Sequence, residues 1–251
     1  MLRILRHGLV DSTSERAFAA LADGSARHGD VHVADAQSAG RGRLGRRWES
    51  PAGEGLYLSL ILLPEPPPLN PAALTMAAGL AVLEAVHSLG ANGARLRWPN
   101  DVLVPARTGR DAKLAGILVE SRGLDPRRPH AVVGVGLNVL QREFPSALQA
   151  ERAVTSLALL GLELTREQAL DVLLAALGPR LEQACRVPAR VAADYAQASE
   201  LLGRRVRIRC GQRELAGRLA ELTLAGLGLE LEGGDRVRVP LEHAQAVETL
   251  A

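Results

Sequence analysis

Aromatic residues make up only 2% of these 251 residues: two Trp, two Tyr and two Phe. A surface that stacks single-stranded bases needs a row of such rings, so that class of binder is excluded. Cysteine is nearly as scarce. Cys185 and Cys210 show neither metal-type spacing nor the density of a disulfide framework, which suits a reducing cytoplasm. Neither sign of charge dominates: 30 basic against 28 acidic residues leave +2, too little to draw the chain onto DNA or an anionic membrane. Arg3 and Arg6 interrupt Met1–Val10, which is too short and too charged for a signal peptide. The longest apolar run, Ala72–Leu89, carries Glu84 and His87 and reads as a core helix rather than a membrane span. Repeats and low-complexity tails are missing too. The expectation is a cytoplasmic protein with no DNA or membrane partner.

One shortage is more pointed. Lys113 is the only lysine among the 30 basic residues. A chain that writes arginine everywhere else uses a compact, rotatable ammonium once, where a planar guanidinium would behave differently. It opens Lys113-Leu-Ala-Gly-Ile-Leu-Val-Glu120, which reads as a buried strand.

What is abundant is concentrated in Gln37–Trp48, where Arg41, Arg43, Arg46 and Arg47 alternate with Gly40, Gly42 and Gly45 and no acidic residue intervenes. Glycine lets the backbone approach a ligand, its free N–H groups can form an anion-binding concavity, and arginine adds a fork matched to phosphate or carboxylate. Gly40–Gly45 fits the G-x-G-x-x-G dinucleotide pattern, but that pattern needs a helix directly after it. Trp48, Pro51, Gly53 and Gly55 forbid one, and kinase and P-loop patterns are absent.

Along the chain, Asp11–Ser14 caps a helix over Glu15–Ala22, closed by Gly24. Strands are expected at Val31–Ala34, Leu56–Leu63, Ala94–Trp98, Leu114–Glu120 and His130–Val139, and helices at Pro71–Leu89, Thr165–Cys185 and Ala189–Ala198. Pro64–Pro71 is a connector and Pro105–Asp111 a polar loop. From Leu201 apolar residues alternate with arginine and Gly-rich turns, as in a small antiparallel barrel or sheet. The basic face Arg204–Arg209 is read as solvated, the alternative being contact with a nucleotide or partner. These patterns give α plus β over 1–199, then all-β over 200–251. Trp98-Pro-Asn-Asp101 sets hard oxygen ligands at a strand end, suited either to Mg²⁺ with nucleotide phosphates or to a plain turn. The glycines of Gly134-Val-Gly-Leu-Asn138 allow close approach of a ligand or backbone.

In this order, Asp11-Ser-Thr13, Gln37-x-x-Gly-Arg-Gly-Arg43, Trp98-Pro-Asn-Asp101, Lys113–Glu120 and Gly134-x-Gly-x-Asn138 resemble the biotin–protein ligases, strongly from Asp11 to Val139. The resemblance implies a mixed, largely antiparallel class II synthetase-like domain followed by an SH3-like β-barrel. It implies activation of biotin by ATP with Mg²⁺ to biotinyl-5′-AMP, then transfer to a lysine of a biotin carboxyl carrier protein. Arg41, Arg43 and Lys113 would be catalytic. Ser12, Thr13, Ser14, Gln37, Gly40, Gly42 and Gly116 would join them around biotin. Trp48, Asn100 and Asn138 would serve ATP beside Arg43 and Lys113, and Asn100 with Asp101 would serve the metal. Ser14 and Gly55 stand where the family usually has Asn. Only ten residues precede Asp11, too few for a DNA-reading module, so no repressor activity is expected. The acceptor lysine must come in trans, because this chain has none to spare. A homodimer is left open. The rivals are a lipoate ligase of the same architecture and a non-catalytic biotin or nucleotide sensor.

Overall fold

Eight consecutive residues of one strand, β3 (Gly55–Leu62), are buried, the signature of a strand covered on both faces. In the computed structural model, which describes residues 2–63, 69–105, 111–122 and 129–250, β3 is the third of seven strands. The others are β1 (Arg3–Val10), β2 (Asp30–Gln37), β4 (Arg95–Arg97), β5 (Asp101–Pro105), β6 (Asp111–Glu120) and β7 (Ala131–Asn138), in the spatial order β1-β2-β3-β7-β6-β5-β4. Only β1 and β2 run parallel. The proline-rich stretch 64–68 and most of the polar loop, 106–110, lie outside the described residues.

One face of the sheet is covered by α2 (Pro71–Ser88), which packs on α3 (Arg166–Arg186) and α4 (Pro188–Ala198). Pro71 sits in the first turn of α2 and Asn70, which the sequence reading did not single out, caps it. Among the described residues α2 alone is long and apolar enough to cross a membrane, and here it is the centre of the core. On the other face α1 (Thr13–Asp23) buries Ala17 and Phe18 against Ile61 and Val132. Ser12 caps α1, and Gly24 ends it in the left-handed region at φ 78°.

A second, antiparallel sheet follows: β8 (Arg205–Cys210), β9 (Arg213–Thr223), β10 (Gly226–Glu230), β11 (Arg236–Val239) and β12 (Ala246–Thr249), ordered β11-β10-β9-β8-β12. Val206, Ile208, Leu219, Leu227 and Val247 belong to the same apolar cluster as α2. Trp98 joins the two sheets: its indole N–H donates to the Ala244 carbonyl at 2.8 Å, and its ring meets Tyr195 edge-on.

The parallel pair β1–β2 holds His7 and His32, with Nε2 of the first 3.0 Å from Nδ1 of the second. His32 is 4% exposed, among Asp30, Arg3 and Arg16. Burial first, then His7, pushes its pKa down to about 4. Between the ordinary value of 6.5 and about 4 the unfolded chain binds a proton that the native state refuses, so stability falls as pH falls through that window. We expect urea denaturation at pH 4.5 to reveal a loss of about 2 kcal/mol relative to pH 7 from this group. A His32→Leu variant should show a shallower slope, and an equal slope would assign the acid sensitivity elsewhere.

Candidate active site

A cleft of about 460 Å³ opens on the α1 side of the large sheet, and its floor is built from positions that carry little side chain. Gly136 lies between Tyr57 and Gly116 in register, and Gly134 between Ser59 and Leu118. The close approach that these glycines permit is made by Trp48. A Cβ at Gly136 would stand 2.3 Å from Trp48 Cε2, and one at Gly116 would stand 3.0 Å from Cζ3. The indole therefore lies directly on the backbone of β6 and β7.

At one end of the cleft is a tight polar cluster. Thr13 donates its backbone N–H to Gln37 Oε1 at 2.8 Å, and its hydroxyl lies 2.8 Å from Ser59 Oγ. Ser14 Oγ is 3.0 Å from the same Ser59 atom, and Gln37 Nε2 donates to Ser50 at 2.8 Å. Ser12 lines this end as the α1 cap. Ser59 went unnoticed in the sequence; its signal was being the only small polar residue in the apolar run Leu56–Leu63, and it is fully buried. A hydroxyl held there without a hydrogen bond would be costly, so its position implies polar company.

At the other end is charge. Lys113 Nζ lies 2.7 Å from Asp101 Oδ1 and 5.2 Å from the Trp48 ring centroid. The Asp101 contact is a close ion pair rather than a well-directed hydrogen bond. Burial lowers the lysine's pKa, with Asp101 opposing the shift. Behind it the chain 153–155 runs alongside, taking the Lys113 N–H at 2.9 Å and returning Thr155 N–H to its carbonyl at 3.0 Å. Asn100 donates Nδ2 to the Ile117 carbonyl at 2.7 Å, which leaves Oδ1 to accept from Arg43 at 3.3 Å. Burial lowers the Arg43 pKa also.

The glycine–arginine segment is a small hairpin: Arg41 faces Arg47, Gly42 N–H reaches Arg46 O at 2.8 Å, and Trp48 N–H reaches Gly40 O at 3.0 Å. Its tip is a single 3₁₀ turn, Arg43–Gly45, with Leu44 in the left-handed region at φ 57° and largely exposed.

Of the residues expected from sequence, Ser12, Thr13, Ser14, Gln37, Arg41, Gly42, Arg43, Trp48, Asn100, Asp101, Lys113 and Gly116 line this one cleft. Gly40 and Asn138 do not. A Cβ at Gly40 would lie 2.4 Å from the Trp48 carbonyl, so it closes the neck of the hairpin. The Asn138 amide is spent on the Thr155 carbonyl and on Gln141, bracing the segment behind Lys113 rather than facing a ligand. Sequence reading also missed Arg152, Gln245 and Ala246, and it took the face Arg204–Arg209 as solvated although its Arg209 lines the cleft.

No group of three or more His, Cys, Asp or Glu capable of holding a metal occurs among the described residues. Asn100 Oδ1 and the Asp101 carboxylate are hard oxygen donors and fit Mg²⁺ that takes its other ligands from phosphate and water.

The model of the biotin/lipoate A/B protein ligase family matches residues 8–138, the span that supplies the polar cluster, the hairpin, Lys113 and the glycine floor. The chain belongs to that family. The biotin–[acetyl-CoA-carboxylase] ligase of Mycobacterium tuberculosis is 38% identical over 202 residues, 78% of this chain and 71% of that protein. The bifunctional ligase/repressor BirA of Escherichia coli is 34% identical over 174 residues, 69% of this chain but 52% of that protein. The chain thus spans about half the length of such bifunctional relatives. Among solved structures, the biotin protein ligase of Aquifex aeolicus in complex with biotin and ATP matches 99% of both chains, with a TM-score of 0.79 and 28% identity. This family member shares its architecture, a mixed, largely antiparallel sheet followed by a second antiparallel one.

Proposed function

We propose that this chain is an ATP-dependent biotin–protein ligase, making biotinyl-5′-AMP and passing biotin to a lysine of a biotin carboxyl carrier protein. The observation that carries the reading is the polarity of the cleft: a buried hydroxyl–amide cluster at one end, the cations Lys113 (paired with Asp101) and Arg43 (on the neutral Asn100 oxygen) at the other, and a glycine floor between. A ureido ring offers two N–H donors and a carbonyl, which Ser12, Thr13, Ser14, Gln37 and Ser59 can satisfy. The dithiolane of lipoate has no such groups, so the polar end favours biotin over the family's other substrate. In the first step a biotin carboxylate oxygen attacks the α-phosphorus of ATP and pyrophosphate leaves. Two anions must meet there, and Lys113 and Arg43 offset their repulsion. Mg²⁺, held by Asn100 or Asp101 and the phosphates, would supply further charge neutralisation. In the second step the carrier amine attacks the acyl carbon, loses a proton and expels AMP. The hairpin shields the mixed anhydride from water meanwhile.

The large sheet is taken as class II synthetase-related and the small one as an SH3-like barrel. The setting is cytoplasmic, with no DNA or membrane partner. The test is to supply biotin, MgATP and a purified carrier domain and to measure carrier biotinylation, with lipoate in a parallel reaction. Biotinylation without lipoylation is expected; lipoylation alone would move the assignment within the family. Ser59→Ala leaves the Thr13 and Ser14 hydroxyls short of a partner. It is expected to raise the KM for biotin about fivefold with kcat nearly unchanged, the loss of about 1 kcal/mol of uniform binding.

A further inference from the structure

Arg41 and Arg43 both line the cleft, yet their partners differ in kind. Arg41 gives Nη1 to Glu15 at 2.5 Å and Nη2 to Glu120 at 2.6 Å, carboxylates on the first turn of α1 and the last residue of β6. Neither glutamate is among the cleft residues. Arg122 completes the group, reaching Glu15 with both Nη atoms at 2.8 and 2.5 Å while its guanidinium lies 4.0 Å from the Phe18 ring centroid. The side chains of Glu120 and Glu15 are only 17% and 34% exposed, so these contacts are partly shielded from water. Two arginines and two glutamates sum to zero charge. Among the described residues the side chain of Arg43 hydrogen-bonds only the neutral Asn100 oxygen, at 3.3 Å, and no carboxylate pairs with it.

From this we infer that Glu15 and Glu120 are positioning residues for the ligase reaction: through Arg41 they brace the hairpin's stem to α1 and β6 and leave Arg43 as its substrate-facing cation. A guanidinium neutralised by two carboxylates adds little field to the cleft, but it holds three elements at one point. Among the described residues the hairpin's other ties are hydrogen bonds within itself, to Ser38 and to Asn100, and the seating of the Trp48 indole on β6 and β7; the Arg41 brace alone ties its stem to α1, and so sets how tightly the stem stays over a reactive intermediate.

The inference rests on the ligase reading, and two readouts separate the two. In the ligand-free full chain, Glu15→Gln/Glu120→Gln should be nicked by trypsin after Arg43, Arg46 or Arg47 about tenfold faster than wild type. That is the loosening expected when both charge-assisted hydrogen bonds of Arg41 become neutral ones. Thermal unfolding should be nearly unchanged. Arg41→Gln should match this rate, and combining it with the glutamate changes should add nothing further. With biotin and MgATP but no carrier, the double variant should release pyrophosphate in its first turnover within about twofold of wild type. It should lose biotinyl-adenylate to solution about tenfold faster. Wild type that releases no pyrophosphate would overturn the ligase reading, while the nicking rates would still decide the brace. Unchanged nicking in folded variants overturns the brace. So does a fall in biotin KM, which would mean that the glutamates compete with substrate for Arg41.

Discussion

Lys113→Arg is expected to lower biotin transfer by at least about two orders of magnitude, although the variant keeps the positive charge. The reason is space and direction. The ammonium sits 2.7 Å from Asp101 and over the Trp48 ring, and a Cβ on neighbouring Gly116 would already come within 3.2 Å of both Cε and Nζ. A guanidinium is longer and planar, and cannot occupy that corner without moving Trp48 or breaking with Asp101. It would present its charge from another place, and a charge misplaced by an ångström loses most of its preference for the transition state. Biotin binding should change less, since the polar cluster at the far end is untouched. Pyrophosphate release and carrier biotinylation, measured in parallel, check this. Transfer within threefold of wild type would mean that any cation suffices at this position.

Gly136→Ala should be nearly as damaging, by a different route. The new methyl would lie 2.3 Å from Trp48 Cε2 and 2.6 Å from Nε1, inside any tolerable contact, and the indole must leave the floor. Overpacking of this kind costs about 1–3 kcal/mol of stability. It also removes the ring that Lys113 faces and shifts the chain just after the hairpin. We expect the KM for MgATP to rise by at least about tenfold, equivalent to about 1.4 kcal/mol, with a change in tryptophan emission. Trp48→Ala placed on the Gly136→Ala background should regain stability while activity stays low. Wild-type kinetics in Gly136→Ala would remove Trp48 from the site.

Much of this was legible beforehand, for physical reasons that differ by element. β3 and α2 were read because uninterrupted apolar runs must be covered. α1 was read because a cap at Asp11–Ser14 and Gly24 punctuate its two ends, although it begins at Thr13 rather than Glu15. β1 was not read as a strand, since its arginines and histidine hide the alternation, and its place beside β2 depends on a partner over twenty residues away. β5 and β12 are too short to announce themselves and exist through pairing with β6 and β8. At the site, the glycines of β7 signalled close approach, but nothing local said that Trp48 was the object. Arg41 was legible as a cation. Its two carboxylates, 26 and 79 residues distant, were not. Asn138 is the opposite case: an amide in a suggestive motif that hydrogen-bonds within its own scaffold and lies outside the cleft lining.

The tetrapeptide Trp98–Asp101 serves two masters. Its last two residues face Lys113 and Arg43, while its first donates to Ala244, next to the Gln245 and Ala246 that wall the cleft. The small sheet is therefore not a detachable accessory. A truncation at residue 199 would expose the Trp98 ring, strip one side from the reaction chamber and unsettle the Asn100–Asp101 corner in the same stroke. Exchanging the C-terminal segment between relatives would be a graft onto the cleft itself, and its success would hang on whether the donor segment offers a carbonyl where Ala244 does.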